Sequence, residues 1–151
     1  MSSHKTHDNV NTFCALSLLG FGIITRSSDT IYTAVGLGIG TIWLSPDLDL
    51  EQSYPSKRFG PLKLLLKPYR MLCGHHRSWV SHTPILSSLI RVLYCLSPLV
   101  IYSIFTQDDL WLVKLIYSPS FFWVLIGLEI ATDLHLFLDF QYSYFKKIRR
   151  I

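Results

Sequence analysis

The chain is predicted to be all-α: a four-helix transmembrane bundle with a cytoplasmic loop and helix insertion, forming one domain over residues 1–151. Three observations point there. Half of the 151 residues are hydrophobic and only 16% are charged, against roughly 25% charged in average soluble domains, and mean hydropathy is +0.33. The apolar residues gather into four segments separated by capping and turn residues. The basic residues gather between alternate segments. A soluble protein with a large apolar partner surface would share the composition alone, so the arrangement carries the argument.

The four segments run over residues 12–25, 30–45, 84–105 and 120–140. The last two are long enough for a bilayer core, which needs roughly 20 helical residues. The first two are short and fit a tight hairpin, tilted or in a thinned layer. Gly36 and Gly40 stand four apart on the second segment. They either allow another helix to approach closely, as in small-x-x-x-small packing, or merely loosen their own helix. Ser28 and Asp29 are suited to cap the second segment, Thr83-Pro84 the third and Ser118-Pro119 the fourth. Pro46 follows the second segment, where a helix stops or restarts. The polar stretch between segments two and three is expected to hold a short amphipathic helix over residues 62–72.

Charge sets the expected topology. Lys5 lies in the N-terminal tail, Lys57, Arg58, Lys63, Lys67, Arg70 and Arg77 in the central stretch, and Lys146, Lys147, Arg149 and Arg150 at the C-terminus. The two opposite loops hold only Arg26 and Lys114, and Arg91 falls inside the third segment. Eleven against two is a strong positive-inside bias. It puts both termini and the central stretch in the cytoplasm. Cys14, Cys73 and Cys95 form neither a Cys-x-x-Cys motif nor an even set, which suits thiols on a reducing side rather than a disulfide framework. The polar, His-rich start and the absence of a small-x-small cleavage site argue against a signal peptide.

Under this threading the ionisable residues converge. His7 precedes the first segment, Asp47 and Asp49 follow the second, His76 and His82 precede the third, and His135 and Asp139 lie at the end of the fourth. All fall at the cytoplasmic end. His135 and Asp139 share a helix face with Thr132, whereas Asp133 points away. Imidazole and carboxylate are ligands for zinc, manganese or iron, and an ionisable pair near a bilayer core is functional by default. Singly the residues have ordinary readings: His7 as a tail residue, Asp47 as a first-turn acid, and His76 and His82 as loop residues on no common face.

The ordered set Thr6-His7-Asp8, Pro46-Asp47-Leu48-Asp49, His76-Arg77-Ser78-Trp79-Val80-Ser81-His82 and His135-x-x-x-Asp139 resembles a bacterial family of metal-binding membrane proteins. That family is similar to the membrane-bound metal-dependent hydrolases, which carry the same pieces in the same order. The resemblance implies a fold related to zinc-dependent phospholipase C and residence in the bacterial inner membrane. It also implies that His7, Asp47, His76, His82, His135 and Asp139 are metal ligands. On that reading the cofactor is a divalent ion, zinc first and manganese or iron as alternatives. Bound water would ionise near pH 7, Asp49 would serve as base or would orient a histidine, and Arg77 would clamp an anionic oxygen. Arg77 reads equally well as a topological charge. The expected substrate is a phosphoester, which the location allows to be lipid-borne. A rival of another class keeps the ion without the chemistry, as a structural or sensory metal-binding membrane protein. The partner expected throughout is the lipid bilayer. Leucines interleaved with Lys63 and Lys67 suit acidic lipid far better than nucleic acid, which is not expected.

Overall fold

The computed structural model describes residues 4–74 and 78–149. It is all-helical among those residues, with eight α-helices: α1 (His4–Thr25), α2 (Ser28–Ile42), α3 (Tyr54–Arg58), α4 (Lys67–Cys73), α5 (Trp79–His82), α6 (Leu86–Thr106), α7 (Leu110–Ile116) and α8 (Pro119–Ile148). Two 3-10 turns, Pro46–Asp49 and Gly60–Leu66, join them. Two helices, α6 and α8, are long and apolar enough to cross a membrane.

Local chemistry sets the ends. Ser27, not Ser28 or Asp29, caps α2: its hydroxyl accepts from the Thr30 N–H while Asp29 sits in the first turn. The reversal before it places Arg26 at φ +53°, so the chain re-enters helix one residue earlier than the pattern of caps suggests. Ser118 caps α8 as expected, with Pro119 in its first turn. Thr83 does not cap α6. Its hydroxyl closes α5 by donating to the Trp79 carbonyl, and Ile85 precedes α6 at φ +63°. The Ile85 N–H is taken by the Glu129 carboxylate of α8 at 2.6 Å.

The expected amphipathic helix over 62–72 is two pieces, a 3-10 turn followed by α4. Pro68, with no N–H and a ring that crowds the preceding turn, forces a restart. Pro98 lies inside α6 and leaves the Tyr94 carbonyl without its helical donor, and the Ser97 hydroxyl takes that carbonyl at 2.6 Å. The fourth apolar segment ends near residue 140, but α8 continues to Ile148. His135 and Asp139 are therefore mid-helix, not in its last turns.

The most extensive packing is α2 against α8. A Cβ on Gly36 would lie 2.0 Å from the Val124 carbonyl oxygen, and one on Gly127 would lie 1.9 Å from that of Thr33. A Cβ on Gly40 would lie 2.7 Å from the Ala131 Cβ. The two backbones thus meet directly, running in the same direction, which settles Gly36 and Gly40 as packing glycines. Helix α1 lies antiparallel to α8: Asn11 donates to the Ala131 carbonyl at 3.1 Å, and His7 lies beside Asp139 further along α8. Arg58 ties the lower end shut, pairing with Asp8 at 2.7 Å and donating to the Ile42 carbonyl at the end of α2. A small core of Leu44, Leu48, Leu66, Tyr69, Cys73 and Leu128 fills the space beneath α4. By contrast α6 buries only its Ser87, Ser88, Arg91 and Ser103 fully, and Leu93, Ile104 and Phe105 stay exposed.

The glycine contacts predict a contrast. Gly127→Val should lower stability by about 3 kcal/mol or more, since overpacking typically costs 1–3 kcal/mol and here the obstacle is backbone. Gly20→Ala, where a Cβ meets nothing within 4 Å, should be neutral or stabilising by up to about 1 kcal/mol. Thermal melting in detergent reads both, and equal melting points for the two variants would contradict the close approach.

Candidate metal centre

Four separate pieces of chain deliver side chains to one end of the α2–α8 pair. Helix α1 brings His7 in its first turn. The Pro46–Asp49 turn, directly after α2, brings Asp47 and Asp49. Helix α5 brings His82, and α8 brings His135 and Asp139. The turn exists because Pro46 stops α2 and fixes φ for a tight restart. Asp47 and Leu48 are then buried.

Asp47, His82 and His135 each offer one ligand atom, and these atoms lie within 4.8 Å of one another. Asp47 Oδ1 is 3.6 Å from His135 Nε2 and 4.0 Å from His82 Nε2. Both separations are too long for hydrogen bonds. They approach the ~3.4 Å expected between two ligand atoms each about 2.0–2.1 Å from a tetrahedral zinc. His135 Nε2 is buried and has no hydrogen-bond partner among the described residues. An orphaned imidazole nitrogen facing a buried carboxylate fits a cation between them.

Ser81 completes this arrangement. It is fully buried, and its hydroxyl donates to Asp49 Oδ2 at 2.9 Å and lies 2.8 Å from His82 Nδ1. With its one proton given to the carboxylate, the hydroxyl can only accept from Nδ1. That leaves the proton on Nδ1 and a lone pair on Nε2, aimed at Asp47. A carboxylate that fixes a histidine tautomer is the usual support of a metal-ligating imidazole. Here a serine stands between the two.

A second pair adjoins the first. His7 Nε2 is 3.4 Å from Asp139 Oδ1, and the His7 ring stacks on His135 with centroids 4.3 Å apart. His82 meets His135 edge-on at 6.3 Å. The structure thus brings together His7, Asp47, Asp49, His82, His135 and Asp139. His76 and Arg77 lie outside the described residues. Asp133 is exposed on the opposite face of α8.

Comparison with known proteins bears on the whole chain. The profile described as "Uncharacterized metal-binding protein (DUF2227)" matches residues 2–149. The chain belongs to the DUF2227 family. An uncharacterized protein of Aquifex aeolicus (strain VF5) is 31% identical over 130 residues, covering 75% of this chain and 91% of that one. No solved structure matches. The DUF2227 description names metal binding and no reaction, so metal binding is the shared property and hydrolysis is a separate question.

Within this DUF2227 chain, sequence reasoning missed Ser81, Asn11 and the pair Arg91–Thr132. Ser81 was visible only as one position of a His-to-His motif. Arg91 was legible as a charge inside an apolar segment, a signal that points to function in its own right. Further out, burial raises the Cys73 thiol above its ordinary range.

Ser81→Ala should weaken metal binding by about 10–100-fold with helix content unchanged, the usual cost of removing a group that orients a ligand. Competitive titration against a chromophoric chelator measures it, and an unaltered affinity would remove Ser81 from the account.

Proposed function

We propose that this DUF2227 protein is a membrane-embedded metal protein in which Asp47, His82 and His135 hold a divalent ion. His7 and Asp139 extend the same shell or serve a second position. The observation that carries the reading is the buried, orphaned His135 Nε2 set 3.6 Å from the buried Asp47 carboxylate. Two imidazoles and a carboxylate favour zinc and also suit iron or manganese.

On this reading the protein is a metal-dependent hydrolase of phosphoesters. The support is chemical. Two His and one carboxylate form the donor set of catalytic zinc sites that keep a position for water, and an ion bound there would supply hydroxide near neutral pH. Asp49, engaged by Ser81, orients His82 rather than acting as a free base. Arg77 remains a candidate for the anionic oxygen. The second reading, a structural or sensory ion, is favoured by the origin of the donors: α1, the turn after α2, α5 and α8 are pinned together by any ion they share.

For location, α6 and α8 are the candidate spans. Exposed Phe13, Phe21 and Ile24 suit burial of α1 in the same apolar layer, and α2 follows it back. This gives a four-crossing bundle in the bacterial inner membrane. The basic central segment and both termini then lie in the cytoplasm with the site. Leu62, Leu64, Leu65 and Met71 are exposed beside Lys63 and Lys67, a face suited to the surface of acidic lipid.

Two outcomes are expected. The purified wild type carries bound metal, whereas Asp47→Ala and His135→Ala each lose it with helicity retained; full metal content in both variants would remove the centre. After an alkaline carbonate wash the protein stays with the membrane pellet, and quantitative release into the supernatant would contradict embedding.

A further inference from the structure

Beside the metal-binding side chains lies a buried cation that the reading so far does not use. Arg91, on α6, is 1% exposed. Its Nε donates to the Ser87 carbonyl at 3.1 Å. Its Nη2 reaches the hydroxyls of Ser87 at 3.3 Å, Ser88 at 3.1 Å and Thr132 at 2.8 Å. All of these acceptors are neutral, and Arg91 forms no ion pair among the described residues. Its Nη1 is buried with no hydrogen-bond partner there. Removing a guanidinium from water without an anion costs several kcal/mol, and a charge within an apolar span is functional by default.

A second orphan faces the same region. The Tyr69 hydroxyl on α4 is buried without a hydrogen-bond partner among the described residues, apart from the weak thiol of Cys73 beside it. The Tyr69 ring lies 5.6 Å, centroid to centroid, from that of Tyr94, one turn beyond Arg91 on α6, and the Arg91 charge is the strongest acting on the phenol. Burial holds the phenol above its ordinary range, so the hydroxyl remains a neutral donor. Two carboxylates also act on Arg91 without bonding to it. Glu129 is engaged by the Ile85 N–H, and Asp49 by Ser81.

Position ties these donors to the centre. Thr132, which receives Arg91 Nη2, lies one turn before His135, and Asp49 is bridged to His82 by Ser81. An apolar cleft of about 220 Å³ between α6 and α8 is lined by Ser88, Leu89, Val92, Phe122 and Leu125, and by Glu129, whose carboxylate takes the Ile85 N–H. It shares Ser88 with the Arg91 cluster, so an alkyl chain has a place close to the cation.

We infer that Arg91 Nη1 and the Tyr69 hydroxyl form an oxyanion subsite beside the metal centre, built to take the phosphoryl group of a phosphate ester. The inference rests on the metal-centre reading and deepens it. Guanidinium and phenol donate to the anionic oxygens, and the negative group supplies the directly bonded anion that Arg91 does not have among the described residues.

The test is calorimetric titration of the metal-loaded, detergent-solubilised full chain with inorganic phosphate and, separately, with dihexanoyl phosphatidate below its micellar concentration. Metal content is measured on the same samples. Wild type should bind phosphate. Tyr69→Phe, which keeps the ring packing, should weaken binding about 10-fold, and Arg91→Lys should do at least as much, because a hydrogen bond to a charged group is worth about that factor. Metal content should not change in either variant. Tighter binding of the phosphatidate, with the same sensitivity to Tyr69→Phe, assigns a lipid-borne phosphate. Its exclusion while phosphate binds assigns a water-soluble ester. Metal present with no phosphate binding, or wild-type phosphate affinity in both variants, overturns the subsite and leaves the metal centre standing. A wild type without metal overturns the centre and the subsite with it.

Discussion

The direct backbone contact between α2 and α8 is the constraint on which the remaining structure depends. Gly36 and Gly127 remove the side chains that would separate the helices, so that Thr33 and Val124 carbonyls take their place at the interface. The two helices run in the same direction. The chain leaving α2 therefore emerges alongside the middle of α8, and the Pro46–Asp49 turn lays Asp47 against His135. A few ångströms more between these helices would leave the carboxylate and the imidazole without a common ion. Small residues permit such an approach because no side chain stands between the two backbones.

Around that contact the buried polar groups sort into two kinds. Some are engaged and fix geometry: the Asn11 Nδ2 on the Ala131 carbonyl, Ser81 between Asp49 and His82, Ser88 with Thr132. Others are left with capacity to spare, among them His135 Nε2, Arg91 Nη1 and the Tyr69 hydroxyl. Such orphans cost free energy in proportion to their desolvation. Their concentration at one end of the α2–α8 pair, rather than scattered through the chain, is what a ligand-binding region requires.

Much of this was legible from sequence. Segment order brought His7, Asp47, Asp49, His82, His135 and Asp139 to one end, because helices that reverse direction return to the same end. The small-residue spacing at Gly36 and Gly40 was legible as a pattern but not as a choice between packing and looseness, since its partner Gly127 lies 87 positions from Gly40. The extent of α8 was not legible: hydropathy ends where Tyr142, Tyr144, Lys146 and Lys147 begin, but backbone hydrogen bonding continues through them. Cap placement failed where the chain turned with Arg26 and Ile85 at positive φ, conformations that ordinary residues rarely advertise. Ser81 and the Arg91–Thr132 contact depend on tertiary placement, which no local spacing encodes.

In the proposed centre an ion is held by imidazole and carboxylate where the end of α2 meets the middle of α8. X-ray absorption at the edge of whichever metal co-purifies with the wild-type protein tests it most directly. A first shell of nitrogen and oxygen only is expected, with the outer-shell scattering of at least two imidazoles. A shell containing sulfur from Cys14, Cys73 or Cys95, or a shell without imidazole, would contradict it.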